Sequence, residues 1–354
     1  LRVTGKFLLL KRIWMKKNFF WIGVLLLGGL IACQSNHKGP DVSAVQVDWK
    51  WYRFENDFFK ADTQQLAASL KSLQQKYPAF TGDFLEYVLG TGSRDPDSPV
   101  VQQATAAFLL SYRGVQADVQ KQYAQTQDLE RDLKRAFQHI RYYHPNYQVP
   151  AVYTYVGPFD APGVALTQGG LAIGLQLFAG KDYPFYTSPQ GQLLYPAYIS
   201  RRFEPAYIVP AAATAIAQDL FPEPGGSLPL VEQMIEKGKY WYLLRKWLPE
   251  VSDTLITGYT ASQLKWAQEN EGMIWNFLLQ QNHVYTTDPS LLQLYIGEAP
   301  QTQGFPDTSP GNIGPWIGWR ILQAYEKKKG EQKPDELMRT PAKTILAEAK
   351  YKPR

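Results

Sequence analysis

The chain has 354 residues, 14% of them aromatic, and a single cysteine, Cys33, which excludes an intramolecular disulfide framework, a CxxC redox pair and a multi-cysteine zinc site. The net charge of +5 comes from the leader: Arg2, Lys6, Lys11, Arg12, Lys16 and Lys17 precede Cys33 with no acid among them. Without them 31 basic residues face 32 acidic ones, so a mature protein of charge −1 has no global reason to bind nucleic acid or an anionic surface.

The apolar run Phe19 to Ala32 is shorter than the roughly twenty residues a spanning helix needs, and Lys16 and Lys17 stand directly before it. That is the anatomy of a secretory signal. Met15-Lys16-Lys17-Asn18 reads as a normal signal start, so translation is expected to begin at Met15 and residues 1–32 to be the signal peptide. Leu30-Ile31-Ala32-Cys33 resembles a bacterial lipobox, with a large aliphatic residue at −3 and a small one at −1. Cys33 is therefore the expected lipidation site, and the membrane, held through that lipid, the expected first partner. Each buried CH₂ contributes about 0.8 kcal/mol, so two or three acyl chains anchor firmly where one does not. The competing reading is an ordinary buried cysteine in a membrane-anchor helix. Residues 33–48, polar with one Gly-Pro pair, read as a tether.

Residues 49–329 contain no long Gly/Ser linker and no fixed-period repeat, and read as a single body. Asp62 is the expected cap of a helix through Tyr77, with Leu66, Leu70, Leu73 and Tyr77 at helical spacing and Pro78 as terminator. Asp97 with Pro99 opens a second helix to about Tyr112, and Leu129, Leu133, Phe137 and Ile140 mark a third that stops before Pro145. VPAVYTYVG, GVALT and GLAIGLQLF, between Val149 and Phe178, are β-rich runs separated by the turn signals PFDAP and QGG. Helical texture then returns, with Pro210 in a first turn, Ser227 and Ser262 as caps, a loop from His283 to Gly314, and a last helix with Pro315 at its start. Residues 330–354 read as a charged, frayed tail. The predicted fold class is α+β, mainly α-helical with a small three- to four-stranded β-sheet.

The chemistry-bearing motifs are mostly absent. HExxH, whose two imidazoles hold zinc while the glutamate takes a proton from bound water, does not occur. Of the four histidines, His37 lies in the tether, His139 and His144 near a helix end, and His283 in a loop; the expectation for them is exposed or hydrogen-bonded imidazoles. No GxSxG elbow, GxGxxG turn or P-loop is present. No metal, cofactor or catalytic residue is expected, although a carboxylate pair for glycoside hydrolysis has no sequence spacing by which to search for it.

Two features remain as candidates. On the helix predicted after Ser262, Glu271 falls within the stripe of Leu264, Ala267, Ile274, Trp275 and Leu278, where a carboxylate is costly unless paired. Arg201, Arg202 and Arg320 are its candidate partners, and a binding or catalytic role is the alternative. Trp316, Trp319 and Tyr325, spaced by Gly314 and Gly318, form an aromatic patch that reads first as core packing and second as a partner surface.

The lipobox together with WYRFENDFF at Trp51, LQQKYPAF at Leu73, YYHPNYQVPAVYTYV at Tyr142, GLAIGLQLFAGKDYPFY at Gly170, QMIEKGKYWYLLRKWLP at Gln233, WAQENEGMIWNFL at Trp266 and PGNIGPWIGWRILQAY at Pro310 resembles the gliding-motility lipoprotein B family, GldB, of the Bacteroidetes. The resemblance implies a cell-envelope lipoprotein needed for movement over surfaces, with protein partners in the machinery that also serves type IX secretion. It also implies a degenerate zincin-like fold, related to zinc peptidases but without their metal ligands; the metal helix of such relatives would fall near Tyr207 to Phe221, where alanines and Thr214 stand. No acidic cluster follows Cys33, which in that phylum favours a periplasm-facing location. Arg53-Phe54-Glu55 stands where the family pattern has Arg-Phe-Asp, a change of one methylene. The family brings no agreed functional residues, so Arg53, Glu271, Trp316 and Trp319 are candidates on their own chemistry. A non-catalytic scaffold is the expected role, and an envelope hydrolase acting on peptide or glycan the competing one.

Overall fold

The computed structural model describes residues 39–225 and 227–353, so the expected signal peptide and Cys33 lie outside the described residues. Strand β1 (Trp51–Arg53) runs straight into helix α1 (Phe54–Phe58), followed by α2 (Leu66–Lys76), α3 (Pro78–Asp83), the long α4 (Pro99–Gln122) and α5 (Gln127–Tyr143). Strands β2 (Val152–Tyr155), β3 (Val164–Leu166) and β4 (Leu171–Gly174) come next, then α6 (Ile208–Leu220), α7 (Leu230–Trp247), α8 (Ala261–Glu269), α9 (Glu271–Gln280) and α10 (Pro289–Ile296). The described chain closes with α11 (Ile313–Lys329), α12 (Pro334–Arg339) and α13 (Ala342–Ala349). The class is α+β, mainly helical, as the sequence pattern predicts.

The sheet has the order β1-β2-β4-β3. β1, β2 and β4 are parallel, with Val152 opposite both Trp51 and Leu171, and β3 closes one edge antiparallel to β4. The two central strands are buried on both faces, which is why VYTY and LAIG carry no polar alternation. Their period of two nonetheless sorts them: Tyr153, Tyr155 and Ala172 join an aromatic cluster with Phe54, Phe80 and Phe84 on one face, while Val152, Leu171 and Ile173 join α5, α6 and α7 on the other. A separate apolar core lies between α7 and the helices that follow it.

The closest packing joins α7 to α11. A methyl group added at Gly318 would lie 1.8 Å from the Met234 carbonyl oxygen, and one at Gly238 would lie 2.4 Å from the Trp319 amide nitrogen. Glycine at both positions lets the two backbones approach to contact.

Several local expectations are corrected. α2 begins at Leu66, four residues beyond Asp62, whose carboxylate instead accepts from the Gln64 amide at 2.8 Å in a local turn. Pro229, not Ser227, precedes α7. Thr260, not Ser262, caps α8, in a reciprocal capping box with Gln263. The single helix expected after Ser262 is broken at Asn270, whose side chain donates to the Trp266 carbonyl at 2.8 Å. Residues 39–48 do not hang as a tether: Val42 is buried, and Gln138 Nε2 donates to the Val45 carbonyl at 3.0 Å. The expected frayed tail is also corrected, because α12 and α13 bury Leu337, Ala342, Ile345 and Ala349 against the second core.

Candidate functional site

Arg53 ends β1 and Glu55 lies in the first turn of α1, so the passage from strand to helix brings the two side chains together. Glu55 is fully buried; it accepts from Arg53 Nε on one oxygen and from the Thr154 hydroxyl, at 2.8 Å, on the other. Arg53 Nη1 donates to the Tyr123 carbonyl at 2.8 Å, tying the sheet to the end of α4. Both oxygens of Glu55, and Nε and Nη1 of Arg53, thus have protein partners, as a tie between elements requires.

Glu271 is the first residue of α9, where the positive end of the helix dipole favours a carboxylate. Arg320 Nε and Nη2 both lie 2.9 Å from its Oε2, and the Tyr351 hydroxyl donates to Oε1 at 2.6 Å. Of the three candidate arginines, Arg320 is the partner; Arg201 instead donates to the Gly258 carbonyl and Arg202 pairs with Glu298. Burial, reinforced by the bond to Glu271, pushes the Tyr351 phenol far above its ordinary value, so it stays a donor. Trp316 and Trp319 are 1% and 5% exposed, and the partner-surface reading of them is corrected: the glycine contact with α7 draws α11 inward and encloses both rings.

The helix at the expected metal position is α6, packed beside β3. Ile208, Ala212, Ala213, Ile216 and Ala217 fill its buried face, and the Thr214 hydroxyl is turned back onto the Pro210 carbonyl at 2.8 Å. No group of three or more His, Cys, Asp or Glu side chains that could hold a metal ion occurs among the described residues.

A cleft of about 740 Å³ opens elsewhere, between one face of α5, the start of α6 and the chain that leaves α7. Its apolar wall includes Leu129, Ala136, Val209, Pro210, Trp247 and Leu248, and Asp128, Asp132, Arg135 and Glu250 also line it. Arg135 pairs with Glu250, linking α5 to the segment after α7. His139 lines the same cleft; it is 2% exposed, and neither ring nitrogen has a hydrogen-bond partner among the described residues. Burial, with the nearby charge of Arg135, pushes it down to about 4, so the imidazole is neutral at ordinary pH. Gly39 lies over this ring, where an added methyl group would sit 3.2 Å from His139 Cε1 and 2.5 Å from Pro249 Cγ.

His144, five residues on, fits the expectation of a hydrogen-bonded imidazole. The Trp247 indole donates to its Nε2 at 3.2 Å, which leaves Nδ1 to carry the proton and donate to Asp335 at 3.1 Å. His139 departs from that expectation. The sequence gives a signal for it only in retrospect: Asp128, Asp132, Arg135 and His139 recur at helical spacing one step round from the Leu133, Phe137 and Ile140 stripe.

Fold and site together define a mainly helical α+β protein whose small sheet packs beside a helix rich in alanine, and whose open cleft takes in the start of that helix. No helix among the described residues is long and apolar enough to cross a membrane. The model of the family Gliding motility protein GldB matches residues 35–353, and the chain belongs to that family. No curated protein and no solved structure matches it.

Proposed function

We propose that this gliding motility protein is a cell-envelope lipoprotein, anchored through acyl chains on Cys33 and facing the periplasm, that acts as a non-catalytic structural component. Its partners are proteins of the gliding apparatus and of the secretion machinery beside it. The observation that carries the structural reading is α6, whose buried face is closed by alanine and isoleucine side chains and whose one hydroxyl, on Thr214, is spent on its own helix. A hydrolytic centre needs convergent polar groups beside a space for substrate. The buried carboxylate of Glu55 and the partly buried one of Glu271 are each engaged by an arginine and a hydroxyl, consistent with ties between elements.

Deleting the gene and following colony spreading and protein secretion tests the role. Loss of both, restored by the wild-type chain, is expected; normal spreading and secretion in the deletion strain would contradict the proposal. Metal analysis of the purified chain tests the non-catalytic part, and stoichiometric zinc would count against it.

A further inference from the structure

The near-neutral mature chain conceals an uneven distribution of charge. Residues 327–353 hold eight basic side chains and four acidic ones, whereas residues 33–326 carry an excess of six acids. The basic stretch is folded onto the body as the end of α11, α12 and α13. Lys329 pairs with Glu348 at 2.9 Å, which sets the end of α11 beside α13, and Lys343 and Lys350 stand two helical turns apart on one side of α13. Lys327, Lys328, Arg339, Lys343, Lys350 and Lys352 are all exposed, and none pairs with a carboxylate among the described residues. The acids of the stretch are engaged instead: Glu331, Glu336 and Glu348 pair with Lys246, Lys333 and Lys329, and Asp335 accepts from His144.

This surface adjoins the place where the chain enters the body. Gly39 lies against Pro249, just beyond the end of α7, and Lys246 in the last turn of α7 donates to Glu331 at 2.8 Å. Cys33 is six residues before Gly39, at most about 20 Å of extended chain. We propose that the basic C-terminal surface docks on the anionic phospholipid headgroups of the membrane that carries the anchor. Each lysine near an anionic bilayer adds only a modest attraction that decays within a Debye length, so the patch alone holds weakly. A short tether changes that, because it keeps patch and headgroups at high effective concentration. Headgroups are the anions that the anchor itself holds within reach, which favours them over an acidic protein.

The proposal rests on the anchoring of Cys33, and the mass of the reconstituted chain checks that first. A free thiol there refutes the anchor, whereas failure to dock on acylated protein refutes the docking alone. The acylated full chain is placed in phosphatidylcholine vesicles with or without phosphatidylglycerol, with a nitroxide quencher on the lipid headgroups. Once Cys33 is acylated no other thiol is present, so one added cysteine alone takes a fluorophore. Thr344→Cys reports from the basic surface, and Ser72→Cys, exposed on α2 in the aromatic layer across the sheet from α7, from the far side. The expected result is quenching at position 344 at least about threefold stronger than at position 72 when phosphatidylglycerol is present. That difference should disappear without phosphatidylglycerol, in about 1 M salt, where the Debye length is about 3 Å, and in Lys327→Gln/Lys328→Gln/Lys343→Gln. Equal quenching at both positions, stronger quenching at position 72, or a difference indifferent to phosphatidylglycerol, salt and the lysine variant would overturn the proposal. A label at position 344 that answers added polyglutamate and ignores phosphatidylglycerol would identify a protein-binding surface and overturn it equally.

Discussion

Replacing Arg53 by Met keeps the aliphatic stem and removes the cation from Glu55, whose side chain is 0% exposed. The carboxylate would retain the Thr154 hydroxyl and lose the arginine, while the Tyr123 carbonyl would lose its donor. Breaking a buried pair by removing one partner costs about 3–5 kcal/mol, chiefly because the remaining charge is left uncompensated. Against a total stability of about 5–15 kcal/mol that is a large share. Urea unfolding of wild type, Arg53→Met and Arg53→Met/Glu55→Gln at constant m-value separates the terms. The double variant, which removes the stranded charge and keeps an amide for Thr154, should be more stable than the single one by about 2 kcal/mol. A loss below about 1 kcal/mol for Arg53→Met, or a double variant no more stable than the single, would refute the pairing argument.

The glycine contact between α7 and α11 is tested by Gly318→Ala, which places a methyl group on the Met234 carbonyl and should cost about 3 kcal/mol or more by thermal or urea unfolding. Packing of the C-terminal segment is tested by Ile345→Ala, expected to cost about 2–5 kcal/mol because the side chain is fully buried; a cost near zero would return those residues to a frayed tail. Glu271→Gln keeps one acceptor oxygen, for Arg320, turns an N–H toward the Tyr351 hydroxyl, which can accept it, and loses a partly exposed charge, so about 1 kcal/mol is expected, and about twice that for Glu271→Ala. His139 has its folded value depressed to about 4 from the ordinary 6.5, so it contributes stability that is present above about pH 6.5 and is lost as pH falls toward 4. Unfolding followed from pH 7 to pH 4.5 should show this loss, roughly 3 kcal/mol when complete, in wild type, and a smaller loss in His139→Leu, where His144, which burial also holds below its ordinary value, still titrates.

What was legible in the sequence was local. β2, β3 and β4 announce themselves because apolar runs stand between turn signals, and the helices because their apolar spacing repeats. β1 is hidden: three residues leave no room for alternation, Phe54 continues directly into a helix, and the pairing partner of Trp51 is Val152, a hundred positions on. The C-terminal helices are hidden by composition, since lysines and glutamates surround a short apolar stripe of Leu337, Ala342, Ile345 and Ala349 that only the second core reveals. For Glu271 the need for a cation could be read from its place in the stripe, but Tyr351 could not, because no local rule links residues 80 apart. The reading of Trp316 and Trp319 turned on two glycines: Gly318 signals close approach, and Gly238 on α7 supplies the surface that is approached. The cleft was illegible because its lining comes from segments far apart in the chain, and the burial of the His139 ring follows from that assembly.

The anchored-lipoprotein account is met most directly by mass spectrometry of the N-terminal peptide from protein extracted from native membranes. The expected result is a chain that begins at Cys33, with a diacylglyceryl group on its sulfur. A free thiol at Cys33, or a chain that still carries the leader ahead of it, would contradict the account.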